Sequence, residues 1–80
     1  MATKRRFKEL RLLVLQGLLA GQKTVNQLSN DVHINWRTVD KHLIYLIGRG
    51  FVSPVFQSSY VKIFQITDRG KQVLEKGDAI

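Results

Sequence analysis

Two helix-start signals stand close together in this chain and restrict its fold more than any other feature. Thr24 is followed three residues later by Gln27, the spacing of a capping box in which each side chain satisfies a backbone N–H of the other residue. Asn35, a preferred N-cap residue, precedes a second helical pattern that ends at Gly48. The two signals predict two short helices joined by a tight turn at residues 32–34.

An earlier helix is predicted over residues 4–20, where apolar residues recur at helical spacing. One stripe comprises Phe7, Leu10, Val14 and Leu18, and a roughly opposite stripe comprises Leu12, Leu15 and Leu19. A surface helix needs only one apolar stripe, so the second is covered either by later elements of the chain or by a partner. We favour a homodimer interface made by Leu12, Leu15 and Leu19.

After the paired helices, the periodicity changes to that of strands. Residues 51–56 and 60–66 read as two strands with a loop at residues 57–59 between them, and Pro54 inside the first run indicates an edge position or a bulge. Thr67 is then placed to cap a last short helix. The sequence leaves open whether Lys23 and Thr24 also touch the sheet.

The predicted order is helix, helix, helix, strand, strand, helix. Two short helices joined by a tight turn and followed at once by a hairpin form a helix-turn-helix with a wing, an α+β fold. We expect one domain over residues 1–80, with flexible ends at 1–5 and 77–80.

The charge balance indicates a polyanionic partner. Among 80 residues, 13 are Lys or Arg and only 6 are Asp or Glu, which gives a net charge of +7. Nucleic acid is the first candidate partner and an acidic membrane surface the second. The chain has no cysteine, so disulfides and thiolate metal sites are excluded, and two histidines without adjacent carboxylates do not predict a metal site. No signal peptide or membrane span is read, and a cytoplasmic protein is expected.

The helix from Asn35 to Gly48 is the predicted DNA-reading element. Stepping 100° per residue places Val39, Leu43 and Leu46 on the inward face. The outward residues can contact bases or phosphates: Arg37 and Lys41, supported by Asn35, Thr38 and Ile44. The alternative is an ordinary solvated face. Trp36 and Tyr45 are further DNA candidates, although Trp36 lies near the buried edge and is interpreted more as packing, as is His42.

Other residues are candidates for the DNA backbone. A basic arm with Lys4, Arg5 and Arg6 can hold phosphates or enter a minor groove, and a solubilising helix start explains it equally well. The further candidates at the helix start and in the wing are Lys23, Thr24, Ser58, Ser59 and Lys62.

Two stretches resemble winged-helix transcriptional regulators of the broad ArsR-like and MarR-like kind, which includes small archaeal and viral regulators. They are INWRTVDKHLIYLIGRGFV, similar to the recognition helix and first wing strand, and FQITDRGKQVL, similar to the end of the wing. The resemblance implies a homodimer on double-stranded DNA, with recognition helices in adjacent major grooves and wings near the minor groove or backbone. Without cysteine, the metal-sensing chemistry of many ArsR-like proteins does not carry over, and the weakly charged wing argues against deep minor-groove insertion.

No catalytic constellation, Gly-rich phosphate loop or ligand pocket is read, so we expect no enzyme activity, no cofactor and no small-molecule effector. Three functions remain open. The favoured one is a sequence-specific transcriptional regulator, most simply a repressor. The others are an architectural DNA-binding protein with low sequence preference and a winged helix that docks on the transcription machinery.

Overall fold

The computed structural model describes residues 7–77, with side chains from Glu9 onward. The predicted α+β order is confirmed, with one added strand before the second helix. The elements are α1 (Phe7–Leu18), β1 (Lys23–Thr24), α2 (Val25–Val32), α3 (Trp36–Gly48), β2 (Val52–Gln57), β3 (Lys62–Ile66) and α4 (Asp68–Lys76).

Both predicted helix starts are confirmed as N-caps. The Thr24 hydroxyl accepts from the Gln27 backbone N–H at 3.1 Å, and the Gln27 side-chain carbonyl accepts from the Thr24 N–H at 3.0 Å, so the capping box is complete. The Asn35 side-chain oxygen accepts from the Arg37 N–H at 2.8 Å and opens α3. Local side-chain chemistry therefore sets where α2 and α3 begin.

The turn between α2 and α3 is tight because His33 takes the left-handed conformation, with φ of 56°. This conformation ends α2, and the His33 N–H still donates to the Ser29 carbonyl. The Ile34 N–H donates to the same carbonyl at 3.2 Å. Since only residues 33–35 connect them, α2 and α3 pack against each other as neighbours.

The sheet has the strand order β1-β3-β2, with both pairings antiparallel. Lys23 and Thr24, left open by the sequence, form the short edge strand beside β3. Strand β2 is the other edge and its register slips between Pro54 and Phe56, so Pro54 occupies both an edge strand and a bulge, as predicted. We name β2, β3 and the turn between them, residues 52–66, the wing.

The root of the wing is held by the start of α4. The Thr67 hydroxyl donates to the Gly50 carbonyl at 2.7 Å and accepts from the Gly70 N–H at 3.1 Å, which confirms Thr67 as the N-cap. A Cβ on Gly70 would lie 2.3 Å from the Phe51 carbonyl oxygen and 2.7 Å from an Ile66 side-chain carbon. Only glycine therefore allows α4 to approach the wing root this closely.

The core is built from residues of all four helices and of strands β2 and β3. Its buried apolar members are Val14, Leu15, Leu18, Leu28, Val39, Leu43, Leu46, Val52, Phe64 and Val73. The expected exposed stripe on α1 is therefore wrong at Leu15, which is fully buried because α2, α3, α4 and β3 all pack around α1. Leu12 is half-buried against the core, and Leu19, in the turn after α1, is 52% exposed.

The expected flexible ends fall mostly outside the described residues, since 1–5 and 78–80 lie there. Gly77 is the one residue of these ends that the structure describes. It caps α4 in the left-handed conformation, with its N–H donating to the Val73 carbonyl at 2.9 Å.

Candidate nucleic-acid interface

Helix α3 presents two sharply different faces. Val39, Leu43 and Leu46 are fully buried, as predicted. On the opposite side, exposed residues recur at spacings of four, three and four, which places them in one stripe along the helix. This outer stripe comprises Arg37, Lys41, Ile44 and Gly48. Ile44 is 64% exposed and places an aliphatic side chain between the cations and Gly48 in this stripe.

The first turn of α3 adds a half-exposed aromatic ring. Trp36 is 51% exposed, so our interpretation of it as mainly a packing residue is wrong. The Arg37 guanidinium lies 5.5 Å from the centroid of the Trp36 ring, within cation–π range. The Asn35 side-chain oxygen is used as the N-cap, which leaves its amide nitrogen as the group available to a partner.

Tyr45 and Thr38 lie on one flank of the outer stripe, and both are half-buried. The Arg11 guanidinium lies 3.6 Å from the Tyr45 ring centroid, and that of Arg49 lies at 5.3 Å. Because the ring also packs against the core, its faces are engaged within the protein. This placement argues against Tyr45 as a free DNA contact and makes it a support for two arginines.

His42 lies on the inner side of α3 and is buried, as predicted. Burial lowers the pKa of His42 below its ordinary value, and the charges of Arg11 and Lys41 lower it further. The imidazole is therefore held in its neutral form beside a positively charged helix face.

The wing presents few charges and several apolar side chains. Its turn is closed by Ser58, whose hydroxyl accepts from the N–H groups of Tyr60 at 3.2 Å and Val61 at 3.0 Å. Tyr60 projects from this turn and is 96% exposed, and Val55, Phe56 and Val61 are exposed as well. Ser58 thus fixes the shape of the turn, and Lys62 is the one basic residue of the wing.

A groove of about 270 Å³ lies between the wing, the start of α2 and the start of α3. Its lining residues are Thr24, Val25, Asn26, Trp36, Asp40, Ser58, Ser59, Tyr60, Val61 and Lys62. Aromatic and aliphatic walls are mixed with neutral hydroxyl and amide groups, together with one acid and one base. Four of the predicted backbone candidates meet in this groove: Thr24, Ser58, Ser59 and Lys62.

The remaining backbone candidates are placed differently. Lys23 forms an ion pair with Asp31 and is half-buried, so its charge is already partly balanced. Lys4, Arg5 and Arg6 lie outside the described residues.

Within residues 7–77, no group of three His, Cys, Asp or Glu side chains is placed to hold a metal ion. Every helix in the same range falls short of the length and apolar character that a membrane span requires.

Sequence reasoning missed the residues that three separate elements bring to the groove. Val25 and Asn26 follow a predicted cap, and Tyr60 and Val61 lie in a predicted hairpin, but the meeting of these elements depends on the tertiary fold. Asp40 could have been singled out from the sequence, because it is the one acidic residue of α3 and lies beside the outer stripe.

The sequence and the described fold are both similar to those of known proteins. The sequence profile of winged helix-turn-helix domains matches residues 4–80. Sso10a-2, a DNA-binding protein from Sulfolobus solfataricus, superposes with a TM-score of 0.77 at 21% identity, over 90% of this chain and 74% of that one. A mutant MarR from E. coli gives a TM-score of 0.76 at 17% identity, over 84% of this chain and 52% of that one.

The antimony-specific transcriptional repressor AntR gives a TM-score of 0.75 at 24% identity, over 86% of this chain and 63% of that one. The chain spans about half the length of several of the solved structures that it matches. No protein of curated function matches it by sequence. Because the family profile covers nearly the whole sequence and the described fold agrees with it, this chain belongs to the winged helix-turn-helix family.

Proposed function

We propose that the protein is a sequence-specific transcriptional repressor that inserts α3 into the major groove of double-stranded DNA. The observation that carries the proposal is the outer stripe of α3, which displays two cations and an exposed isoleucine opposite a fully buried apolar face. A helix with an inner face fixed in the core can present donors to base edges without rearranging. AntR, an antimony-specific transcriptional repressor of the same fold, supports repression as the direction of regulation.

Each residue of the outer stripe has a matching group in the major groove. Arg37 can donate two hydrogen bonds to the O6 and N7 acceptors of guanine, and Ile44 can contact a thymine methyl group. Lys41 suits a guanine edge or a phosphate. A good bidentate contact discriminates against the wrong base by about 1–3 kcal/mol. This chemistry favours base reading over uniform coating of DNA.

The groove beside α3 supports a backbone contact. Ser59 and Lys62 on the wing and Thr24 at the start of α2 lie along it, so a sugar–phosphate strand can be held between the wing and α3. With Lys62 as the one basic residue of the wing, the wing contact is made mostly by neutral and apolar groups.

A homodimer completes the proposal. Leu19 is exposed and Leu12 is half-buried, so a reduced apolar patch remains near the end of α1 although Leu15 is in the core. Two-fold symmetry would place two copies of α3 about 34 Å apart, one turn of the duplex. Sedimentation analysis of the wild-type protein and of Leu19→Lys tests this part, with a shift to monomer expected for the variant.

The decisive test is a titration against the promoter of the protein's own gene and against random duplex over a range of salt. We expect the protein to bind one site in the promoter with a nanomolar dissociation constant and to bind random duplex more weakly. Arg37→Ala should relax this preference, whereas Lys71→Ala, an equal loss of charge on the exposed side of α4, should leave it unchanged.

Equal and steeply salt-dependent binding to both duplexes would instead favour an architectural role, for which the net charge of +7 is the supporting observation. No binding to either duplex at low salt would reject both DNA functions.

A further inference from the structure

The one acidic residue of α3 has no evident structural purpose. Asp40 follows Arg37 by three residues and lies about 60° from it around the helix, on the side that faces the wing. Within residues 7–77, its carboxylate joins no ion pair and accepts no hydrogen bond. An acid in the first turn of a helix stabilises the helix dipole, but Asp40 lies beyond the first turn of α3.

The neighbouring cations are directed elsewhere. The Arg37 guanidinium lies over the Trp36 ring, and Lys62 lines the same groove without pairing with Asp40. Asp40 is half-buried in the wall of the groove, beside the outer stripe. A carboxylate in this position repels every phosphate that approaches, so it lowers the affinity of the protein for DNA in general.

Such a group is compatible with DNA binding only where the DNA offers it a hydrogen-bond donor. An ionised carboxylate accepts hydrogen bonds and cannot donate them. In the major groove, guanine presents two acceptors, thymine presents an acceptor and a methyl group, and adenine presents an acceptor beside its amino group. Cytosine presents its N4 amino donor alone, so it is the base that an aspartate fits.

We infer that Asp40 is a specificity-determining residue that selects cytosine in the bound site, next to the base read by Arg37. The inference rests on the proposed entry of α3 into the major groove. Two residues three positions apart on a helix are separated by about 4.5 Å along its axis, between one and two base-pair steps of about 3.4 Å, so their side chains can reach adjacent base pairs. Asp40 favours the cognate site by rejecting others, since guanine and thymine offer its charge no donor and the amino donor of adenine lies beside a repelling N7 acceptor.

The test compares three variants with the wild-type protein by selection from a random duplex library, followed by titration of selected and random duplexes. Asp40→Asn removes the charge, and Asp40→Glu keeps the charge but moves the carboxylate by one methylene. Glu75→Gln, an exposed acid on α4, is the control with the same change of net charge as Asp40→Asn.

The wild-type protein should select cytosine at one position, by roughly 5- to 150-fold over other bases. Asp40→Asn should lose this preference while its affinity for random duplex rises. Glu75→Gln should raise affinity slightly for all sequences and keep the cytosine preference. Asp40→Glu should weaken the preference without the rise in random binding.

Two results would overturn the inference while leaving the proposed function intact. One is selection of a defined site that contains no position dependent on Asp40. The other is an equal effect of Asp40→Asn and Glu75→Gln on every duplex, which would make Asp40 a general electrostatic repulsion. If the wild-type protein binds no duplex at all, the proposed function and the inference fail together. Circular dichroism of each variant separates these results from loss of folding.

Discussion

Helix α3 and the wing border the same groove but are built from opposite chemistry. Helix α3 is fixed by three fully buried apolar residues and presents two cations on its outer stripe. The wing is a two-stranded hairpin with a bulged edge strand, and it presents exposed apolar side chains and one lysine. In the proposed complex with DNA, α3 supplies the electrostatic and base-reading part of the interface, and the wing supplies mainly shape and apolar contact.

The anchoring of the two elements differs as well. The position of α3 is stabilised by the burial of apolar side chains, and several residues of the helix contribute to this burial. The wing root depends on a close backbone approach at Gly70 and on the two hydrogen bonds of the Thr67 hydroxyl. We therefore expect α3 to be sensitive to loss of volume and the wing to be sensitive to added volume.

The largest effect is expected on the inner face of α3. Leu43→Ala should lower the free energy of unfolding by about 2–5 kcal/mol, because it removes a fully buried side chain and leaves a cavity. Its neighbour Ile44→Ala, on the exposed side, should change stability by less than about 0.5 kcal/mol. Urea unfolding of both variants measures the difference. Similar losses in the two would remove the distinction between the faces of α3.

The second effect is expected at the wing root. Gly70→Ala should destabilise the protein by about 1–3 kcal/mol, because its Cβ would meet the Phe51 carbonyl and force α4 away from the wing. Gly48→Ala is the matched control, since nothing lies within 4 Å of a Cβ there, and alanine should stabilise by up to about 1 kcal/mol. Thermal unfolding distinguishes opposite signs directly, and a neutral Gly70→Ala would contradict the close approach.

These two glycines also show where sequence reasoning stops. Gly48 ends the apolar pattern of α3, and Gly70 interrupts that of α4. The residues next to each glycine in the sequence do not show that a backbone carbonyl lies against Gly70 whereas Gly48 faces open space. The caps at Thr24, Asn35 and Thr67 were predictable, because each is completed by backbone groups within three residues of the capping side chain.

The errors at Leu15 and Trp36 have the same origin. A helical wheel orders the residues of one helix by angle, but burial depends on the elements that surround it. Helix α1 is surrounded on several sides, so Leu15 is buried although it lies away from the first apolar stripe. Helix α3 has an open groove on its wing side, so half of Trp36 remains exposed.

The outer stripe of α3 was predictable for the opposite reason. Arg37, Lys41 and Ile44 point away from every other element, so the angular order alone decides their exposure. The groove that adjoins them was not predictable, because α2, α3 and the wing tip meet there from distant parts of the sequence.

A third prediction separates the chemistry of the wing from that of α3. Lys62→Ala should reduce the slope of log affinity against log salt by about 0.9, as expected for one lost phosphate contact. Tyr60→Ala should weaken DNA binding by a few-fold with no change of slope, because the lost contact carries no charge. Fluorescence anisotropy over a range of salt measures both. A change of slope in Tyr60→Ala, or none in Lys62→Ala, would contradict the proposed division of roles.

The smallest effect is expected from His42, the polar exception on the inner face of α3. Its pKa in the folded protein is lower than the ordinary value of 6.5 because of burial and the nearby charges of Arg11 and Lys41. Between the lowered pKa and 6.5, the unfolded chain binds a proton that the folded protein excludes. The free energy of unfolding should therefore fall as pH decreases through this interval, and the contribution of His42 should level off below it.

His42→Gln removes this titration, so its stability should depend less on pH in that interval than the stability of the wild-type protein. The wild-type protein measured in parallel is the reference, because the two proteins differ only at this position. Urea unfolding between pH 5 and about pH 8 spans the interval in which an unperturbed histidine titrates. If the wild-type protein and His42→Gln depended equally on pH in this range, the lowered pKa of His42 would be contradicted.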